Sequence, residues 1–600
     1  MAKTIPERKD IPQSHKWALE DIYQNVAAWE ADLEKMKVLV KQIPDFKGKI
    51  SKDPKCLLDF MRHSEKLSLI CDDLANYAQR KSDEDTRISE NQALVARVMA
   101  VYTEAGELSD FEAPELLSIS DETMEQFYCD VPELNLYRRY FDKLRKGKEH
   151  YLDAAGEKLL ASAGEVTQTA QKVYGMFSNA DLTFPDVEDA GGEKHPLSQG
   201  TYITLMHSED RVLRENAYRT YYKVYGDFKN TMAATLAGHV KSLQFYTKAR
   251  KYASALERAL DRTEVPTSVY ENLISVVNEN QDLMYRYIAL RKKLLGVDEL
   301  HFYDLYTPLV SGVDEETPYE QAIQTVMDAL QPMGEEYCAQ LKKGFESRWI
   351  DVYENKGKRS GAYSAGARVH PYVLLNYTGT LDSQFTIAHE MGHAMHSWYS
   401  NEKQPAIYAD YVIFVAEVAS TCNEALMMEH LLSKTTDKKK RAYLINHFLE
   451  QFRATLYRQT MFAEFEWQIS KLEMAGVPLT AEKLCAEYKG LIQRYFGDGV
   501  VVDDEICMEW ARIPHFYYNF YVYQYATGYA AAIALSRRIL SGETGAVEDY
   551  IRFLSGGCSK DPISLLKDAG VDMATEAPVR SALKLFGELL DEMEALMEDI

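Results

Sequence analysis

Apolar residues recur every three or four positions through most of this chain, and little interrupts them. In "WALEDIYQNVAAWEADLEKMKVLVKQI" (Trp17 to Ile43) they fall on one helical stripe. The stretches from Leu57 to Leu108 and from Met232 to Arg258 repeat the pattern. Breakers are few, with 18 prolines and 31 glycines in 600 residues. Such a chain is expected to fold mainly as packed α-helices. It is too long for one core, so two or more domains, or one large subdivided helical body, are expected.

Two zones depart from the helical period. "LTFPDVEDAGGEKHPLS" (Leu182 to Ser198) has extended-type residues around Gly191 and Gly192, which predicts a hairpin and a soft boundary. We therefore divide the chain into an N-terminal helical domain, 1–200, and a second domain, 201–600. "WIDVYENKGKRSGAYSAGARVHPYVLLNY" (Trp349 to Tyr377) alternates short β-type runs with glycine-containing turns, which predicts a small sheet. It leads into "TLDS" (Thr380 to Ser383), where Asp382 is the expected N-cap of a helix.

Composition narrows the function classes. Hydrophobic content of 46% and charged content of 27% fit a folded soluble protein, and a formal charge of −24 disfavours nucleic acid and anionic membranes as partners. The start has no apolar targeting core, and no apolar run approaches the roughly 18 residues that span a bilayer. "YATGYAAAIAL" (Tyr525 to Leu535) reads as a buried helix, and "DKKKR" (Asp437 to Arg441) as a solvated one. The eight cysteines are scattered with no Cys-x-x-Cys pair. This argues against a disulfide framework or a cysteine-rich zinc site and makes a reduced, cytoplasmic protein the expectation.

The chemistry concentrates in "FTIAHEMGHAMHSWYS" (Phe385 to Ser400). His389, Glu390 and His393 fit H-E-x-x-H. Residues at i and i+4 lie one above the other on a helix, so two imidazoles can reach one zinc ion at about 2.0–2.1 Å. Glu390 is offset by about 100° and can stand beside the metal as a water-activating base. Chance is the alternative, but histidine is scarce, with 14 in the chain, and the helix is otherwise apolar on much of its circumference. His396 lies seven residues beyond His389, about 10.5 Å along the axis, too far for a shared ion, and is expected to be a buried hydrogen-bonding histidine. The longer H-E-x-x-H-x-x-G-x-x-H pattern fails, since His396 and Tyr399 stand where glycine and histidine would.

The third ligand must come from elsewhere. Glu402 is about 20 Å along the helix, and Asp410 sits in an expected connection. Glu417, in "YVIFVAEVASTCNEALMMEHLL" (Tyr411 to Leu432), is the best candidate. A carboxylate flanked by Val415, Ala416, Val418 and Ala419 needs a positive partner, a metal or else an Arg or Lys. Glu424, two turns later on the same face, and the Ser420/Thr421 pair are weaker candidates, as groups that could orient a ligand histidine. Two histidines and a glutamate leave one zinc position open, the pattern of a catalytic site. Downstream, "RIPHFYYNFYVYQYATGY" (Arg512 to Tyr529) holds His515 and six tyrosines. Read as one helix, it puts Tyr518, Tyr521 and Tyr525 on one face. That face is either packed core or the donor side of a polar cavity, where a phenol or imidazolium could hold an oxyanion.

"KRSGAYSAG", "HEMGHAMHS", "FVAEVAST" and "PHFYYNFYVYQYATGY", in this order and spacing, resemble oligoendopeptidase F of the M3 zinc metallopeptidases, the thimet oligopeptidase family. The resemblance covers nearly the whole chain from Trp17. It implies a large multi-helix, zincin-type peptidase with a small sheet beside the HExxH helix, in two parts around a deep cleft that admits short peptides. It implies one zinc ion on His389, His393 and Glu417, with Glu390 as general base. It also implies that His515, Tyr518 and Tyr525 stabilise the oxyanion and position the peptide, with Tyr521 and Tyr523 in reserve. "SGAY" (Ser360 to Tyr363) resembles the strand that pairs with substrate backbone, which makes Gly361 and Tyr363 substrate-binding candidates. The expected function is cleavage of internal bonds of short peptides. The alternatives are a related helical zinc peptidase trimming from a peptide end, of the dipeptidyl carboxypeptidase or carboxypeptidase type, and a non-catalytic zinc-containing peptide-binding scaffold.

Overall fold

The computed structural model describes residues 5–310 and 316–599. It is mainly helical, as the period predicts, with two small sheets. The helices that matter for the site are α1 (Val26–Gln42), α2 (Pro54–Glu84), α3 (Ser89–Leu108), α4 (Arg211–Asp227), α5 (Leu381–Lys403), α6 (Ile413–Lys434), α7 (Arg458–Met474) and α8 (Tyr523–Leu540). Among the described residues, no helix is long and apolar enough to cross a membrane. The eight cysteines are all free.

The chain divides into two compact units, each gathered from three separated stretches. Met1–Ala154, Glu315–His430 and Leu535–Gly570 form the first; Ala155–Asp314, Leu431–Ala534 and Val571–Ile600 form the second. These bodies do not follow a single linear cut, so the division at residue 200 describes sequence type rather than compactness.

In the first unit, α1 buries Trp29, Leu33, Met36 and Val40, one face at helical spacing. Asn25 starts the helix by accepting the Ala28 N–H at 3.0 Å. α2 begins with Pro54 directly after the Asp53 cap, a position where the missing N–H costs nothing. α1, α2 and α3 pack on one another, and their core runs on into Tyr372 and Leu374 of a sheet. That sheet is the one expected between Trp349 and Tyr377. It comprises β3 (Ile350–Asp351), β4 (Tyr363–Ala365) and β5 (Tyr372–Leu374), in the order β3-β5-β4. β5 pairs in parallel with β3 and antiparallel with β4, so β4 is an edge strand. The amino-terminal segment at Arg8 is pinned to it. Arg8 donates to Asp351 at 2.8 Å, and fully buried Lys358 lies 2.8 Å from the same carboxylate.

The second unit contains the expected hairpin, β1 (Val187–Glu188) with β2 (Lys194–His195), turning through Gly192 at φ +80°. α4 buries Tyr218, Tyr221, Tyr222 and Tyr225. The tyrosine-rich segment is not one helix. Pro514–Tyr517 is a short 3-10 turn, Asn519 and Phe520 stand in the left-handed region at φ +60° and +55°, and only from Tyr523 does α8 begin. Two consecutive non-glycine residues in that region are strained, of order 1–3 kcal/mol each. The Phe520 N–H donates to the buried Glu466 of α7 at 2.5 Å, which holds the turn. Burial pushes the Glu466 carboxyl up to about 8, against the weaker pull of that N–H.

Two outcomes test these anchors. Asp351→Ala leaves Arg8 and Lys358 without their shared counter-charge. It is expected to cost about 3–5 kcal/mol and to lower the melting temperature by calorimetry; an unchanged melt would show that water replaces the carboxylate. Glu466 keeps its proton in the folded state up to about pH 8, whereas its ordinary value is 4.5. Between those values the unfolded chain binds fewer protons, so this group lowers stability as pH rises. Glu466→Gln, neutral throughout, should gain about 1 kcal/mol per pH unit on the parent across that window. Melting both proteins at several pH values reads this, and parallel curves would mean Glu466 ionises normally.

Candidate metal centre

α5 starts at Thr380, not Asp382. The Thr380 hydroxyl accepts the Ser383 N–H at 3.2 Å, and Asp382 falls inside the first turn, where its charge favours the helix dipole. His389 and His393 lie one turn apart on this helix, their rings edge to face with centroids 4.9 Å apart. α6 delivers Glu417 to both: its Oε2 lies 3.4 Å from His389 Nε2 and 3.6 Å from His393 Nε2. All three ligand atoms lie within 4.8 Å of one another. Ligands bound at about 2.0–2.1 Å around a tetrahedral ion are about 3.3–3.4 Å apart, so the three residues fit such an ion with little movement.

The approach of α6 depends on Gly392, between the two histidines. A Cβ there would lie 2.6 Å from Ser420 Cα and 2.7 Å from the Ala419 carbonyl. Asn423, fully buried, then ties the helices together. Its Nδ2 donates to the Ala388 carbonyl at 3.1 Å, and its Oδ1 accepts from Tyr337 at 3.0 Å. Sequence reasoning passed over both residues. The signals were present: glycine inside a helix costs about 1 kcal/mol and needs a packing reason, and an asparagine in an apolar stretch needs partners.

Glu424 bonds His389 Nδ1 at 2.7 Å, as expected, fixing the ring with Nε2 turned to Glu417. Ser420 orients the carboxylate instead, donating to Glu417 Oε2 at 3.0 Å. Burial works against protonating His389, but the Glu424 bond and the charges of Glu424, Glu390 and Glu417 outweigh it and raise the imidazole to about 9. Burial likewise opposes ionising Glu417, yet His393 and His389 hold it down to about 2. To hold a cation here His389 would give up its proton, whereas Glu417 is already a carboxylate. Burial raises Glu390, assisted by Glu417 and Glu424 and opposed by both histidines; its Oε2 is buried without a hydrogen-bond partner. His396 is buried, as expected. It stacks on Tyr411 at 3.6 Å, and its Nδ1 has no hydrogen-bond partner, so packing rather than hydrogen bonding accounts for it at that atom.

Gly361 adopts φ +82° with open space where a Cβ would be, so the turn into β4 is what requires glycine. Tyr363, on β4, donates to Asp83 at 2.6 Å, and Arg80 and Arg359 lie 5.0 and 5.5 Å from its ring. The second unit brings His515, Tyr518, Tyr521 and Tyr525 into one cluster. The His515 ring centroid is 5.4, 6.2 and 6.0 Å from the three tyrosine rings. Burial and Arg458 lower the pKa of His515, which favours the neutral imidazole. Tyr523 is buried against Tyr270 at 5.1 Å and belongs to the core.

A family model described as peptidase family M3 matches residues 204–585, and one described as oligopeptidase F matches 115–184. The chain is 46% identical to oligopeptidase PepF of Bacillus subtilis (strain 168), covering 99% of this chain and 89% of that one. It is 39% identical to group B oligopeptidase PepB of Streptococcus agalactiae serotype III, over 98% of both. A crystal structure of a Chlamydophila abortus protein superposes with a TM-score of 0.92 at 36% identity, covering 99% of this chain and 100% of that one. Oligoendopeptidase-F from Enterococcus faecium gives 0.76 at 37%, covering 95% and 99%. A family match over most of the chain, with relatives along nearly all of it, makes this protein a peptidase of family M3, of the oligopeptidase F type.

Proposed function

We propose that the chain is a zinc-dependent endopeptidase of short peptides, with one zinc ion on His389, His393 and Glu417 and with Glu390 as general base. The observation that carries this reading is Glu417 Oε2 standing against both imidazoles while neighbouring Glu390 keeps a buried oxygen without a partner. A zinc ion there would supply the Lewis acidity that acidifies water and polarises a peptide carbonyl. Glu390 takes the proton of the attacking water and returns it to the leaving amine. Its raised proton affinity suits a group that must do both near neutral pH. Glu424 keeps His389 in the ligating orientation.

The free edge of β4 offers backbone N–H and C=O groups to a peptide, and the Gly361 turn sets where that edge begins. Tyr363 acts there through its ring and backbone, since its hydroxyl is bonded to Asp83. We assign the oxyanion and peptide contacts to His515, Tyr518 and Tyr525, with Tyr521 in reserve. Their support is the family resemblance, their clustering, and a neutral imidazole that still has an N–H to donate. The sequence-type division, 1–200 and 201–600, and a cytoplasmic location with free cysteines complete the proposal.

Digestion of end-blocked peptides, read by mass spectrometry, tests the reaction. Internal cleavage is expected, lost with chelator and restored by zinc. Glu390→Gln should retain the metal and lose about 10²–10⁴ in rate; full activity in that variant would sink the mechanism. Gly392→Ala tests the geometry. Its methyl forces α5 and α6 apart, so zinc affinity should fall about 10–100-fold with helical content unchanged by circular dichroism. Unaltered affinity would show that the two backbones part without disturbing Glu417.

A further inference from the structure

The second unit holds an excess of buried positive charge that the peptidase reading does not use. Arg291 and Arg453 share Glu450, at 2.6 Å and at 2.6 and 2.9 Å. Arg458 and Arg512 share Glu509, at 2.6 and 2.7 Å. Four guanidinium groups thus face two carboxylates. The nearby acid Asp304 is already bonded to Arg211 and Arg214. Guanidinium groups do not lose their protons, so these four exceed the carboxylates bonded to them by two charges, while Asp503 and Glu505 act on neighbouring Tyr218 from outside these bonds.

The two halves of this network meet at Tyr306. Arg458 donates to its hydroxyl, and the Arg453 guanidinium lies 5.0 Å from its ring. Burial opposes its ionisation, but Arg458, Arg512 and Arg453 outweigh burial and Glu509 and hold its hydroxyl below the ordinary phenol range. Beside it is a cavity with about 20 Å³ of water-accessible volume, lined by Tyr218, Tyr222, Tyr306, Arg453, Arg458 and Glu509 among others. One water or one ion of similar size fits there. Tyr218 is 1% exposed and its hydroxyl has no hydrogen-bond partner. The Tyr222 oxygen accepts from Arg512 at 3.0 Å, which leaves its own proton to donate. A water could bond to these groups but would not answer the excess of arginines over their bonded carboxylates.

We propose that this cavity binds one small monovalent anion of the size of chloride, held by the phenol hydroxyls of Tyr218 and Tyr306 and by the field of Arg453 and Arg458. Tyr306, which lines the cavity, is half-buried. Crystals of the full chain grown in sodium bromide should show an anomalous peak within hydrogen-bonding distance of these groups. Crystals that bind bromide elsewhere but hold only water here would overturn the proposal. In solution, the melting temperature should rise saturably with sodium chloride and not with sodium gluconate at equal ionic strength. Tyr218→Phe should raise the half-saturating chloride concentration at least about threefold. Equal response to both salts is ordinary screening and counts against the site. So does a tyrosine phenolate absorbance that chloride leaves unchanged and Tyr306→Phe removes, since the protein would then balance its own charge.

Discussion

The proposed metal centre rests on a backbone contact rather than on any ligand. Where α5 passes α6, Gly392 has Ser420 Cα at the distance a side chain would occupy. Without that approach Glu417 would still sit in its helix, but its carboxylate could not stand 3.4–3.6 Å from both imidazoles. The contact also explains why the two histidines are separated by this residue. The ligands must flank the point of closest approach to share one partner from the facing helix. Asn423 then fixes the sliding and rotation of α6 by bonding the carbonyl immediately before His389.

Charge is the second constraint, and it works through the same helix pair. Three carboxylates, Glu390, Glu417 and Glu424, are brought to two histidines in a half-buried place. Each has a different environment and so a different state. Glu417 is held ionised by the imidazoles, Glu424 is bonded to His389, and Glu390 is pushed toward its protonated form. Identical side chains thereby separate into the roles proposed for them, ligand, orienting group and base, without any difference in residue type. An extra positive charge at Glu417 relieves the repulsion among the three acids, which is why a cation suits the place.

Much of this was legible in the sequence because it follows from period. His389 and His393 at i and i+4, Glu390 beside them, and Glu417 stranded among valines and alanines all declare themselves by spacing and burial cost. Glu424 follows two turns later. What period cannot convey is distance between helices, so Gly392 and Asn423 went unread. Their role exists only once α6 is placed. The N-cap was misjudged by two residues because Thr380 and Asp382 are both good caps, and only the backbone decides between them. The tyrosine segment misled for a different reason. Asn519 and Phe520 hold left-handed backbone with no glycine to mark it, so helical spacing was assumed across a break.

That break is informative about how the second unit is built. A phenylalanine takes φ +55° only when its surroundings insist, and here the insistence comes from a buried carboxyl, Glu466, that accepts its N–H. The same unit buries four arginines against two glutamates. Neither arrangement is what packing alone would select, since apolar groups of like volume fill a core at lower cost. Both do what apolar groups cannot, which is to fix direction. Glu466 sets the turn between Tyr518 and Tyr521, and the Arg458 guanidinium, bonded to Glu509 and Tyr306, also lowers the proton affinity of His515. The His515 cluster is therefore positioned by a buried acid on one side of its turn and tuned by a buried base beyond its ring. A cluster of aromatic rings packed only by area would lack its strained turn, and burial alone, without Arg458, would lower the proton affinity of its histidine.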